Sequence, residues 1–273
     1  MLVTALLACT GNVPVDTEET DLPAALVFTI ASLNAESGGA DPVKVAEDTV
    51  APITGESLFA FEEVENDAAA RLFVDAAEDD GQDFQYRMGT TGYEDRLVLA
   101  WDDTRFALVE LTALDDINVG GTVRAPLVGH LQERASGVEF LFVVNHLWRT
   151  DDAKRHQQAT LLNTWAAAQT LPIVTMGDFN FDWKADGSSH DEGYDNLIAN
   201  DVFRWVRPPD PLVRTECSAT YDSVLDFAFV GGGAKDWGAS SAILRQEDDY
   251  CRGARASNYS DHRPITATFT IPQ

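Results

Sequence analysis

Apolar residues along this chain fall into short runs separated by Gly, Pro and acidic clusters, a spacing that predicts many strands and a few helices. The segments 24–34 (AALVFTIASLN) and 57–64 (SLFAFEEV) are apolar until they close on polar or carboxylate residues, as buried strands do. Further strands are expected at 96–101 (RLVLAW), 106–114 (FALVELTAL), 123–132 (VRAPLVGHLQ), 138–147 (VEFLFVVNHL), 172–183 (PIVTMGDFNFDW), 224–230 (VLDFAFV) and 265–271 (ITATFTI). Helical spacing appears at 41–53, with Pro42 near its start, at 66–80, and around 191–199. The clearest helix is 151–169, which has an acidic start and an Ala/Gln/Leu interior. Strands mixed with helices indicate an α/β layered protein, and the hairpin-like neighbours argue against a simple doubly wound sheet. No internal repeat or linker divides 24–273, so one catalytic-sized domain is expected there.

Composition narrows the partners. The 273 residues are 45% hydrophobic and carry 45 acidic against 19 basic side chains, a formal charge of -26. Tight charge-driven binding to nucleic acid requires clustered Lys and Arg, which this surface lacks, although a metal ion could still mediate contact with phosphates. The first 23 residues read as a separate segment. An apolar run ends in LLAC, so that Cys9 is placed as the lipidated residue of a bacterial lipoprotein signal, without the usual positive start. Residues 10–23 form an acidic, Pro-containing tether. These features predict an exported, monomeric protein, secreted, periplasmic or attached to a membrane through Cys9. Cys217 and Cys251 then remain as an even pair, the number expected for one disulfide in an exported chain.

The chemistry lies where strands end. Asn34, Glu63 and His146 close their runs, Gly177 precedes Asp178 and Asn180, Asp226 opens a strand, and Asp261 and His262 precede the last one. Each alone reads equally well as a turn former or a satisfied polar residue. Together they supply what metal-assisted phosphoester hydrolysis requires. A hard cation such as Mg²⁺ takes oxygen ligands, here Glu63, Asp178, Asn180 and Asn34. A His paired with a carboxylate, such as His262 with Asp226, serves as general acid or base.

The motifs FEEV, VNHL, GDFN and SDHRP, in this order over residues 26–271, resemble the endonuclease/exonuclease/phosphatase superfamily of deoxyribonuclease-like enzymes. The resemblance implies a four-layered sandwich of two packed mixed β-sheets flanked by helices. It implies Mg²⁺ as cofactor, with Mn²⁺ or Ca²⁺ as alternatives, held by Glu63 with Asn34 and Asp261 close by. Asp178 and Asn180 would orient the nucleophile and scissile phosphate, His262 with Asp226 behind it would activate water, and His146 would contact the phosphate or leaving group. GYEDRLVLAW would give Tyr93 a phosphate hydrogen bond and pair Asp95 with His146, and Arg124 would face phosphate. Glu62 stands where the family has Gln, and strand alternation points it away from the site. Arg155 is expected to pair with Asp151 or Asp152, and Trp205 to pack. The implied activity is phosphodiester hydrolysis with DNA as the default substrate; a phosphatase or phospholipase-C-like enzyme acting on a small phosphoester or lipid head group is the alternative. Phosphomonoester specificity would call on Arg124, Arg149 and Arg155.

Overall fold

The computed structural model describes residues 25–272, apart from 219–221, 255 and 257. The lipoprotein-like segment and Cys9 lie outside the described residues. Among the described residues, twelve strands form two six-stranded sheets. In the first, β1 (Leu26–Asn34) and β2 (Leu58–Val64) are central, with β4 (Arg96–Asp102) and β3 (Phe84–Met88) on one side. β12 (Ile265–Ile271) and β11 (Gly238–Ile243) lie on the other. The second runs in the order β5 (Phe106–Ala113), β6 (Leu127–Glu133), β7 (Glu139–His146), β8 (Ile173–Lys184), β10 (Ser223–Gly231), β9 (Phe203–Trp205). Only β1–β2 and β7–β8 pair in parallel; all other neighbours are antiparallel.

The apolar faces of the two sheets meet in one core, where Phe28 stacks on Phe140 with ring centroids 5.3 Å apart and Trp237 closes edge-on. The outer face of the first sheet buries Phe59, Phe61 and Val98 under α1 (Pro42–Val45), the π-turn that continues it, and α2 (Asp67–Ala77). Ala159, Leu162 and Ala166 of α3 (Asp152–Ala167) join the other core. Two short helices, α4 (Glu192–Ile198) and α5 (Asp248–Ala254), complete the molecule. The arrangement is the expected sandwich of two mixed sheets flanked by helices. No helix among the described residues is long and apolar enough to cross a membrane.

Four elements escape the sequence reading: β3, β9, β11 and α5. All are short, and β3, β9 and β11 are edge strands with partly polar sequences, which leave little apolar periodicity to read. The expected strand at 123–132 begins only at Leu127, because Pro126 lacks the amide that a ladder needs.

The topology gathers the chemistry at one rim. Parallel pairing brings the C-terminal ends of β1 and β2 together, and likewise those of β7 and β8. Antiparallel β10 and β12 begin where their neighbours end, so Asp226, and the turn before β12, arrive at the same edge. His146, Asp178 and Asp226 lie directly opposite one another across three adjacent strands.

Candidate active site

Gly177 explains how the GDFN stretch reaches this rim. Its φ is +141°, and a Cβ there would lie 2.0 Å from the Asn145 carbonyl oxygen, so no other residue lets β8 pack this closely on β7. Asp178 then accepts hydrogen bonds from Asn34 Nδ2 at 3.1 Å and from the Asn180 amide at 2.9 Å. Asn180 has φ of +53°, and Glu63, Asp182 and Glu36 are also left-handed (φ +52°, +43° and +44°). Such conformations in non-Gly residues store strain that cooperative packing must hold, and they concentrate at functional sites. Asn180 therefore reaches the cleft through this turn and not through strand alternation, while its Nδ2 donates to the Leu147 carbonyl at 3.2 Å.

His262 Nδ1 lies 2.9 Å from Asp226 Oδ2, the expected pair, and both side chains are buried. Its Nε2 faces Asp178 and Asp261, each at 3.8 Å. Burial alone would push the imidazole pKa down, but Asp226 and Asp178 outweigh it and raise the pKa well above the usual histidine range. The imidazolium formed when Nε2 accepts a proton is thus stabilised in place.

His146 is almost fully buried, and neither of its ring nitrogens makes a hydrogen bond. Nδ1 is 3.6 Å from Asp95 Oδ1; Nε2 is 3.4 Å from Asp178 and 3.7 Å from Glu63. Asp95 in turn takes Arg124 Nη1 at 2.6 Å. Burial works to raise the Asp95 carboxyl, yet His146 and Arg124 together hold it below the usual range.

These contacts test the expected metal site. Glu63, Asp95 and His146 bring ligand atoms within 4.8 Å of one another, and the orphaned, buried His146 nitrogens and Asp95 Oδ1 suit a cation. This set shares Glu63 with the expected ligands, and Asn34 and Asp261 lie on the other side of Glu63. Asn34 is instead a bridge: its Nδ2 donates to Glu63 at 3.0 Å as well as to Asp178, and its Oδ1 accepts the Glu36 amide. Asp261 packs against Glu36, whose carboxylate accepts the Asp261 amide at 3.0 Å. Burial, then the charges of Asp261 and Glu63, push the Glu36 carboxyl up to about 7. Crowded carboxylates of this kind fit a hard divalent cation, so Glu63 has candidate oxygen partners on one side and a His/Asp pair on the other. Glu36 was not foreseen; its only sequence signal is its place two residues beyond Asn34.

Glu62 corrects the expectation that it points away. Glu62 keeps strand alternation with Leu58 and Ala60 on the inward face and is fully buried beneath the site, where Ser32 Oγ donates to it at 3.2 Å; the residue redirected within the β-bulge between Phe61 and Val64 is Glu63, with φ +52°. Burial, with Asp226 and Asp178 added, raises its pKa well above the carboxylate range.

Above this floor lies an open cleft of about 420 Å³. Glu63, Asp178, Asn180 and His262 line its base, and Arg149, Asp152, Asp182 and Glu216 its walls. Two expected phosphate contacts are not in the lining. Arg124 is buried against Asp95, and Tyr93 stands 74% exposed on the loop before β4 with φ +55°. Arg155 lines the cleft as an ion-paired residue, as expected from Asp152 (2.6 Å), with an unforeseen second partner in Asp191 (2.7 Å). Arg149 is exposed, and its guanidinium makes no hydrogen bond or ion pair among the described residues. Glu216 is buried; one oxygen accepts the Ser218 amide at 2.9 Å and Oε2 has no partner. Its loop is tied to the His262 segment. Glu216 bridges to His262, the Cys217 amide donates to the Asp261 carbonyl at 2.7 Å, and a Cys217–Cys251 disulfide fastens α5 beside them. Trp205 packs on Phe227, as expected.

No curated protein matches the chain, but solved structures do. A mannosyl-6-phosphatase of Bacteroides thetaiotaomicron is 18% identical with a TM-score of 0.63, covering 88% of this chain and 98% of that one. TDP2 of D. rerio, solved with a single-strand DNA product, is 14% identical with a TM-score of 0.67, covering 89% and 98%. ANGEL2, a 2′,3′-cyclic phosphatase, is 15% identical with a TM-score of 0.63, covering 93% and 98%. At these identities the likeness speaks for the fold alone. The family model "Endonuclease/Exonuclease/phosphatase family", however, matches residues 31–262, a span that contains FEEV, VNHL and GDFN and ends on His262 of SDHRP. With that match over the greater part of its length, the chain belongs to the endonuclease/exonuclease/phosphatase family of phosphoester hydrolases.

Proposed function

We propose that this protein is a Mg²⁺-dependent hydrolase that uses activated water to cleave a phosphoester small enough to sit in the cleft. The observation that carries this reading is the His262–Asp226 pair at 2.9 Å, with Nε2 free to face the cleft beside Asp178. Water held near Asp178 loses its proton to Nε2 while Nδ1–H donates to Asp226, which fixes the tautomer and stabilises the imidazolium. Asn180 and Arg149 hold the phosphate oxygens. His146, steadied by Asp95 and Arg124, stands across Asp178 where it can donate to the departing oxygen. A divalent cation held by Glu63 with Glu36–Asp261 at its side would supply charge neutralisation at the phosphate and leave His146 its proton; held with Asp95–His146 instead, it would take His146 as a ligand in place of that donor role.

Three features favour a small substrate over a polynucleotide: the net charge of -26, the acidic cleft walls, and the single unpaired guanidinium among the described lining residues. DNA, the default from sequence, stays as the second reading, supported by the exposed Tyr93 beside the Asp95–His146 pair. Export with lipidation at Cys9 rests on the LLAC stretch and agrees with the disulfide.

The test compares supercoiled plasmid with p-nitrophenyl phosphoesters, each with Mg²⁺ or EDTA, using wild type and His262→Ala. Mg²⁺-dependent release of p-nitrophenol that His262→Ala lacks, without nicking, is the expected result. Nicking alone would move the assignment to a nuclease, and inactivity on both would overturn the hydrolase reading.

A further inference from the structure

A cleft that binds phosphate must balance its charge, and here the balance is unusual. Of the three arginines that could serve phosphate, Arg124 is spent on Asp95 and Arg155 on Asp152 and Asp191, at distances of 2.6–2.7 Å. Among the described residues, Arg149 alone of the three keeps an unpaired guanidinium in the cleft. Facing it are Asp182, which is partly compensated by Lys184 Nζ at 3.0 Å, and Glu216. Glu216 is 6% exposed, and its Oε2 has no hydrogen-bond donor; the Ser218 amide on the other oxygen is the carboxylate's single hydrogen bond among the described residues. A divalent ion at Glu63 would cancel charge at the floor and leave this wall negative. In a partly desolvated cleft such a charge acts on the substrate with little screening.

We propose that the cleft selects phosphoesters carrying a single negative charge, with Arg149 receiving the phosphate and Glu216 rejecting a dianion. The substrate class that follows is an isolated phosphodiester between uncharged alcohols. Phosphomonoesters, dianionic above the second phosphate pKa of about 6, are disfavoured. Polynucleotides are disfavoured as well, because their neighbouring phosphates would approach the same wall. This deepens, and rests on, the hydrolase reading above.

The experiment uses two substrates with one leaving group: methyl p-nitrophenyl phosphate (monoanion) and p-nitrophenyl phosphate (dianion). Full-length, disulfide-intact protein is assayed with Mg²⁺ at a pH of about 8, where the monoester is fully dianionic. Glu216→Gln keeps the acceptor for the Ser218 amide and removes only the charge. We expect it to raise kcat/KM for the monoester relative to the diester by about tenfold, mainly through KM. The shift should shrink at about 0.5 M salt. Arg149→Ala should lower the monoester more than the diester, and Arg149→Lys should restore part of the loss. A structural role for Glu216 would lower both substrates together and leave their ratio unchanged. A wild type active on both substrates whose ratio is unmoved in Glu216→Gln, or moves toward the diester, overturns charge selection and leaves the hydrolase reading standing. Inactivity of the wild type on both overturns the hydrolase reading and charge selection with it.

Discussion

Replacing Asp226 with Asn isolates what the carboxylate does for His262, because the exchange keeps shape and removes charge. At 2.9 Å and an effective dielectric of about 20, the Coulomb attraction between Asp226 and an imidazolium is bounded at roughly 6 kcal/mol. The net worth of a charge-assisted hydrogen bond is smaller, about 1.5–3 kcal/mol. Asn adds a second loss. If its amide donates to Nδ1, the proton moves to Nε2 and the base is blocked on the side facing water. Together these predict a fall in kcat of about 100- to 1,000-fold, corresponding to roughly 3–4 kcal/mol in the barrier. KM should stay within about threefold, since Asp226 does not line the cleft. With one of the carboxylates that raise the imidazole pKa removed, the acid limb of the kcat profile should move to lower pH. Stability should respond differently. Asp226 lies opposite Asp178 and is second only to burial in raising Glu62, so neutralising it relieves repulsion and offsets the lost hydrogen bond. The melting temperature should therefore move by less than about 4 °C, equivalent to about 1 kcal/mol for a domain of this size. Steady-state kinetics with a p-nitrophenyl phosphoester and a thermal melt read both quantities. A kcat within tenfold of wild type, or a melting temperature lowered by about 10 °C, would refute this account of the pair.

Mg²⁺ at about 100 times its Kd should add close to 2.7 kcal/mol and raise the melting temperature by roughly 5–10 °C. Glu63→Gln should abolish that shift in differential scanning fluorimetry, and an equal shift in the variant would place the ion elsewhere. Glu56 lies far from this chemistry. Burial, against its own backbone amide and with help from Asp79, lifts its pKa from 4.5 to about 7. The folded state therefore holds the extra proton across that window, and stability declines as pH rises from about 4.5 to 7. Glu56→Gln should remove that decline and stabilise the protein at neutral pH by about 1–2 kcal/mol, read as chemical-denaturation midpoints at several pH values; no gain at pH 7 would count against the buried charge. Reduction of the Cys217–Cys251 bond, which spans 34 residues, should cost about 4 kcal/mol and about 10 °C. It should also lower activity more than far-UV circular dichroism, because the bond braces the loops of Glu216 and His262; equal activity with and without reductant would contradict that role.

Nine of the twelve strands among the described residues, the main helices and the residues Glu63, His146, Asp178, Asn180, Asp226 and His262 could be read from the chain itself. Apolar periodicity survives in any buried strand, and strand ends are marked by the polar residue that follows. Gly177 was equally legible, since only glycine lets the backbone approach so closely. What the sequence could not express was pairing across distance. Arg124, Arg149 and Arg155 are equivalent as letters, yet two are consumed by carboxylates of other elements and one is left open to the cleft. Alternation counted back from Glu63 sent Glu62 outward, yet Glu62 continues the inward face of Leu58 and Ala60 beneath the dyad, and it is Glu63 that a bulge of the kind no local pattern announces redirects. Glu36 and Glu216 carry no motif; they join the site because long-range register sets their loops beside Asp261 and His262. Residue type and local period thus determine which chemistry is available, whereas the charge left unbalanced in the cleft depends on contacts between residues far apart in the chain, which only the folded structure decides.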